Sequence, residues 1–169
     1  MLIRRETPAD VDAVAAVTSA AFGTPGGADP VETRLLAELR VSPAWLPPLS
    51  LVAVDDGVAG HVVCTRAHVG PAPALGLGPL SVHPARQGRG VGSALMHALL
   101  GAADALDEPL VVLLGEPDYY ARFGFRLAAE LGIAPPVAAW APYFQARTLT
   151  AYRPELRGPF RYADPFDRV

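Results

Sequence analysis

Apolar residues in this chain alternate between strand-like runs and helical spacing, and the switches predict an α/β (α+β) order of elements. Leu2 to Glu6 reads as a first strand. Thr7-Pro8-Ala9-Asp10 then supplies an N-cap, a proline for the first helical turn and an early acid, after which Val11, Val14, Ala15 and Phe22 mark one helical face. Asp29-Pro30-Val31-Glu32 repeats that start signal before Val31, Leu35, Leu36 and Leu39, and Gly23 to Ala28 forms a flexible loop between the two helices. Ser50 to Asp55 and Val58 to Val69 flank Asp55-Asp56-Gly57, which predicts an antiparallel hairpin. Farther on, the pattern predicts a strand over Trp140 to Thr150 and another over Phe160 to Phe166, with turns at Pro135-Pro136 and Pro154.

The middle of the chain carries the chemistry. Leu77 to Val82 is apolar, His83-Pro84 forces an extended exit, and Val91, Leu95 and Leu99 then repeat at helical spacing in a helix reaching about Asp104. Between strand and helix lie Gln87, Gly88, Arg89, Gly90, Val91 and Gly92. Glycines let backbone approach a ligand closely, and the unpaired N–H groups and dipole of the first helical turn attract an anion. A phosphate or pyrophosphate is the expected occupant. A P-loop would need a lysine after its last glycine, but all 14 basic side chains are arginine. A dinucleotide fingerprint would need glycine where Ser93 stands, and a strand opening the fold, not one in mid-chain.

What remains is Q-x-x-G-x-G from Gln87 to Gly92, preceded by V-x-P at Val82, His83 and Pro84, and this resembles the acyl-CoA motif of the GNAT superfamily of N-acyltransferases. A second match follows. Leu110 to Leu114 is a short strand-like run, and Tyr120, Gly124 and Phe125 reproduce the Tyr-x-x-x-Gly-Phe that closes the next helix in that superfamily. The wording around both motifs looks most like a bacterial subgroup of GNAT acetyltransferases. One departure is the lack of an asparagine in the turn before the tyrosine.

The resemblance implies a single GNAT domain over residues 1–169 with a mixed central sheet flanked by helices. The Leu110 strand, reached through a helix, runs parallel to the motif strand, and the two splay apart. The pantetheine arm of acetyl-CoA, the implied cosubstrate, then lies along Leu80 and Val82, and the Val82 N–H meets the thioester carbonyl. Pyrophosphate sits on the amides of Gly88, Arg89, Gly90, Val91, Gly92 and Ser93, with Gln87 in the same loop and Arg86 and Arg89 as flexible counter-charges or plain surface residues. Tyr120 is implied as proton donor to the departing sulfur, in preference to Tyr119; Phe123 and Phe125 read as core. The acceptor, a small-molecule or peptide amine, is expected between Gly23 to Pro30 and Ala134 to Arg147. The implied reaction is direct acetyl transfer to a primary amine in a ternary complex; a catalytically weak acyl-CoA-binding module is the alternative.

An amine with a pKa near 10 must lose its proton before attacking, and the motif strand carries no carboxylate to take it. His83 and Glu116, just past the ends of the motif strand and its parallel neighbour, are the nearest candidates by topology; either also reads as a structural strand-end residue. His61 and His68 fall on opposite sides of a regular strand and, with His97, read as structural or exposed. No grouping has metal-ligand spacing, so no metal is expected.

At 169 residues the chain suffices for one substantial core. Hydrophobic residues make up 51% and mean hydropathy is +0.25, yet no run approaches the roughly 20 apolar residues of a membrane span. Neither a membrane association nor a signal peptide is expected, which gives a cytoplasmic location by default. Cys64 is alone, so it reads as a buried, inert thiol. Net charge is -3 and pI about 5.7, so no nucleic-acid footprint is evident, and a homodimer is left open.

Overall fold

The computed structural model describes residues Met1–Val169. Its strands are β1 (Leu2–Arg5), β2 (Trp45–Val54), β3 (Val58–Val69), β4 (Ala72–Val82), β5 (Leu110–Leu114), β6 (Arg126–Leu127), β7 (Ile133–Ala134), β8 (Phe144–Thr148) and β9 (Gly158–Arg161). The helices are α1 (Val11–Phe22), α2 (Val31–Arg40), α3 (Val91–Ala105) and the short α4 (Pro117–Tyr120). The sheet runs β1-β2-β3-β4-β5-β8-β6, with β9 beside the far end of β3 and β7 beside β9. Every pair along the main path is antiparallel except β4–β5, which α3 joins in parallel, as a helical crossover requires.

Both faces of the sheet are covered, so the central strands read as continuous apolar runs. Val62 and Cys64 turn toward Leu95, Met96 and Leu99 of α3, while Val52 and Val63 turn the other way, toward Val14 of α1 and Leu36 of α2. The buried face of α1 is Val14, Val17 and Thr18; Phe22, expected on that face, stays 43% exposed at the helix end. Thr18 caps its own turn by donating to Val14 O at 2.8 Å and meets Ser81 of β4 at 3.2 Å. At the start of α1, the Asp10 carboxylate accepts from Thr7 N and Arg4, and the Arg4 guanidinium holds it well below the usual carboxylate range.

Three expected strands differ. β2 begins at Trp45, five residues before Ser50, because the register slips across Leu46 to Leu49 and accommodates Pro47-Pro48 without breaking the strand. The span from Trp140 to Thr150 is strand only over Phe144–Thr148, since Pro142 sits in a 3-10 turn over Ala138–Tyr143. Likewise β9 stops at Arg161, and Asp164–Arg168 forms a 3-10 turn that carries Phe166 back over the sheet.

The feature that positions the site is a local failure of pairing. β4 and β5 pair only at Leu75↔Val111 and Gly76↔Val112. Just beyond, Cys64 pairs with Leu77 but Val62 with Leu80, so β4 carries an extra residue at Gly78-Pro79 and bends. Pro79 has no N–H to give to a neighbouring strand. β5 stays with β8 through Leu114↔Phe144. The parallel strands therefore diverge and leave a wedge between their carboxyl ends.

Candidate active site at the β4–β5 wedge

One side of the wedge is built from backbone. Gly88 and Gly90 have φ of +70° and +81°, values an L side chain rarely tolerates, and they turn the chain into α3. None of the N–H groups of Gly88, Arg89, Gly90, Val91, Gly92 and Ser93 has a backbone partner; the first helical bond comes from Ala94 N to Gly90 O. The loop is tied down from behind: Gln87 Nε2 donates to Val82 O at 3.1 Å, and His83 Nδ1 accepts from Ala85 N at 3.2 Å. A cleft of about 480 Å³ lies in front, lined by Leu80, Val82, Gln87, Gly88 and the residues from Gly90 to Ser93. Arg86 lines it while pairing with Asp55; Arg89 is exposed and does not line it. Arg122, which the sequence reading did not single out, does line it, its guanidinium 4.9 Å from the Tyr119 ring centroid. The Tyr119–Arg122 spacing of three on a helical turn was the available signal.

The strand edge facing the wedge is also free. His83 N donates to Ala59 O across β3, and the register continues through Ser81↔His61. In an antiparallel ladder the alternate residues turn their N–H and C=O away from that partner. Leu80 and Val82 therefore present both groups to the wedge.

Tyr119 and Tyr120 flank the opening from the β5 side. Both donate their backbone N–H to Glu116 O, at 3.1 and 3.2 Å, which forms α4 at the end of β5. Gly124, at φ +82°, turns the chain so that Phe125 packs edge-on against Tyr120, with centroids 5.8 Å apart. The Tyr120 ring lies so close over Gly115 that a Cβ there would come within 2.5 Å of Cε2. Burial, aided by Tyr119, pushes the Tyr120 hydroxyl up to about 12, so it keeps its proton at neutral pH. Burial also raises Tyr119, though less sharply, and its hydroxyl stands where a Cβ on Gly92 would be, 2.7 Å away. Gln145 of β8 donates to Gly115 O at 2.7 Å and fastens the end of β5.

A second cavity, of about 360 Å³, opens on the other side of the wedge. Leu80 lines both cavities, with Tyr119 on the first and Tyr120 on the second. The second is walled by apolar and aromatic groups, among them Phe22, Trp140, Tyr162 and Phe166, and its carboxylates are Glu32 and Asp167. Pro136 and Trp140 fall in the Ala134 to Arg147 segment expected to face an acceptor, whereas no residue of the expected Gly23 to Pro30 segment lines the cavity and only its neighbours Phe22 and Glu32 do. Tyr162 and Phe166 belong to the expected Phe160 to Phe166 strand, and a strand pattern carries no signal that its residues line a cavity; Asp167 lies beyond it. His83 and Glu116 line neither cavity, and Glu116 is exposed.

The remaining chemistry-bearing side chains lie elsewhere. Cys64 is fully buried in the α3-facing core, and burial pushes its thiol far up. His61 is buried too, with Nε2 2.8 Å from Ser50 Oγ and 3.1 Å from Glu6 Oε2; burial lowers its affinity for a proton despite Glu6. His97 packs edge-on against Phe123 at 5.2 Å.

Known proteins resemble this chain in sequence and in fold. The acetyltransferase (GNAT) domain family matches residues 48–127, a span that runs from β2 to β6 and contains the wedge. The chain is 34% identical over 134 residues to the uncharacterized N-acetyltransferase YhbS of Escherichia coli, covering 77% of this chain and 76% of that protein. It is 33% identical over 169 residues to the uncharacterized N-acetyltransferase YjhQ of the same organism, covering 92% and 88%. Among solved structures, E. coli YhbS in complex with CoA superposes with a TM-score of 0.88 at 28% identity, over 99% of this chain and 92% of that one. A Brucella melitensis GNAT acetyltransferase in complex with acetyl-CoA gives 0.80 at 35% identity, over 98% and 97%. By sequence relatives and by fold, the chain belongs to the GNAT family of acetyltransferases.

Proposed function

We propose that this protein is an acetyl-CoA-dependent N-acetyltransferase that passes the acetyl group directly to a primary amine held in the second cavity. The observation that carries the reading is the junction at Leu80: a cleft lined by five residues with unpartnered amides, Gly88 and Gly90 to Ser93, shares that residue with a separate apolar cavity. The residues present fit acetyl-CoA. Gly88 and Gly90 leave no side chain in front of the amides, and the α3 dipole adds partial positive charge where a pyrophosphate would lie. YhbS and the Brucella protein, both with TM-scores of 0.80 or more, were solved with CoA and acetyl-CoA.

Acetyl-CoA supplies an activated acyl group on a thiol leaving group. Val82, facing the cleft alone, offers its N–H and, beside Gln87, its C=O to the pantetheine arm. Leu80 lines both cavities and its N–H faces away from β3, so we assign that N–H, two residues before the sequence expectation, to the carbonyl oxygen that gains charge during transfer. Tyr120, protonated and on the acceptor side, donates to the departing sulfur. The amine's proton leaves through water, with His83 and Glu116 contributing modestly because they line neither cavity. The test is release of free CoA thiol from acetyl-CoA against a panel of primary amines. Amine-dependent release with formation of the amide is expected. Tight CoA binding without release for any amine would instead leave an acyl-CoA-binding module.

A further inference from the structure

The second cavity has a composition that selects its ligand. Its walls are aliphatic and aromatic, and its charged groups are two carboxylates: half-buried Glu32 on α2 and exposed Asp167 at the C-terminal turn. In a chain whose 14 basic side chains are all arginine, none of them lines this cavity. Neither carboxylate is committed elsewhere. Glu6, Glu38, Glu108, Asp10 and Asp55 all pair with arginines, whereas Glu32 and Asp167 make no ion pair or side-chain hydrogen bond. A carboxylate left free beside an apolar wall favours a cation and repels an anion.

Resting on the transferase reading above, we propose that the acceptor is a small monocationic amine carried on an apolar, aromatic-sized body and lacking a carboxylate or phosphate. Its ammonium group is captured by Glu32, with Asp167 adding to the field, while its body packs among Phe22, Trp140, Tyr162 and Phe166. The volume of about 360 Å³ lies at the small end of ligand pockets, which suits such a molecule and not a long peptide. Before attack the ammonium gives up one proton to water, on the route already proposed, and Glu32, the cavity's half-buried carboxylate, is the first acceptor on that route ahead of His83 and Glu116: the amine nitrogen regains its lone pair, the water passes the proton on, and the carboxylate becomes a carboxylic acid. This role compensates for a motif strand without Asp or Glu. Free amino acids and phosphorylated amines are excluded because their anionic groups would face two carboxylates.

The probes are 2-phenylethylamine, ethanolamine, phenylalanine and 2-phenylethanol, each titrated calorimetrically into the CoA-saturated protein, with CoA thiol release measured in parallel from acetyl-CoA. Phenylethylamine should bind about 10²-fold more tightly than ethanolamine, which lacks the apolar body. Phenylalanine, which adds only a carboxylate, should bind at least about tenfold more weakly than phenylethylamine. In Glu32→Gln, phenylethylamine should lose about tenfold in affinity and phenylethanol almost nothing. Equal affinity for phenylethylamine and phenylalanine, or a loss for phenylethylamine in Glu32→Gln matched by an equal loss for phenylethanol, would overturn the proposal. Binding of phenylethylamine in the expected order without any thiol release would support this cavity assignment while contradicting the transferase reading. Release with ethanolamine or phenylalanine at the higher rate would do the reverse.

Discussion

The two cavities that meet at Leu80 are built in opposite ways. The cleft at the start of α3 is made of main chain: consecutive residues, two glycines with positive φ and a row of N–H groups. The cavity beyond Tyr120 is made of side chains drawn from α1, α2, the β4 bulge, the turn after β7 and the C-terminal turn. A backbone cradle recognises a pyrophosphate, whose geometry does not vary, and tolerates almost any side chains outside its glycines. A side-chain cavity can be rewritten residue by residue, which is the property that the proposed acceptor role calls for.

The sharpest way to break this contrast is at the cradle. Gly92→Glu places a carboxylate among the six amides and drives its Cβ toward the Tyr119 hydroxyl. Acetyl-CoA affinity should fall by more than about 10²-fold, while melting temperature and amine affinity hold. Calorimetry on the folded variant checks it; wild-type CoA affinity would show that the cradle is not the pyrophosphate site. Gly90→Ala isolates the conformational part, since at φ +81° any L side chain costs about 1–2 kcal/mol.

Tyr120→Phe comes next. It removes only a hydroxyl from a residue that lines the second cavity and not the cleft, so kcat should drop about 10²-fold with CoA affinity within about twofold of wild type. Tyr119→Phe, on the cleft side, should cost less turnover. Because the Tyr120 hydroxyl is held up to about 12, it stays protonated through neutral and mildly basic pH, and wild-type turnover should show no loss of a catalytic acid below about pH 11. A basic limb near pH 9 that vanishes in Tyr120→Phe would contradict the assignment.

Smaller effects are expected at the two residues that topology first suggested for the base. His83→Ala and Glu116→Gln should each lower kcat/KM by about tenfold or less, since neither side chain lines a cavity. A loss approaching that of Tyr120→Phe would bring that residue into the catalytic geometry.

Smallest for catalysis, and confined to stability, is the buried group away from both cavities. The ordinary histidine value is 6.5 and burial lowers His61 below it; Glu6, despite its own burial, is held below its ordinary 4.5 by His61, Ser50 and Arg40. For a group lowered in the fold, the unfolded chain binds protons first as pH falls. The stabilisation is therefore complete above about pH 6.5 and declines below it, in a second stage below about pH 4.5. Melting curves from pH 8 to 4 should show that decline in wild type, and Glu6→Gln should lower the plateau without changing CoA or amine affinity. A melting temperature that rises below pH 6.5 would invert the sign.

The same contrast explains what the sequence disclosed. Gln87 to Gly92 and Tyr120 to Phe125 are contiguous motifs whose chemistry depends on neighbours in the chain, so they were legible together with the parallel β4–β5 pair. Glu32, Trp140 and Asp167 meet only through tertiary packing, and no local pattern announced them. Pro142 shortened an apparent strand into a turn that brings Trp140 to the cavity, and the C-terminal aromatics fold back in place of extending. The strand run from Leu77 to Val82 looked uniform, although Gly78-Pro79 within it is the bulge that turns β4 away from β5.

The central claim is that both substrates occupy the wedge at once and the acetyl group crosses at Leu80 without a stop on the protein. Initial rates measured over a grid of acetyl-CoA and phenylethylamine concentrations test it most directly, because a ternary complex and an acyl-enzyme give different double-reciprocal patterns. Cys64, the single thiol, is fully buried with its proton held tightly, so no sulfur nucleophile faces either cavity. The expected result is a family of lines that intersect; parallel lines, with acetyl-protein trapped in the absence of amine, would contradict the account.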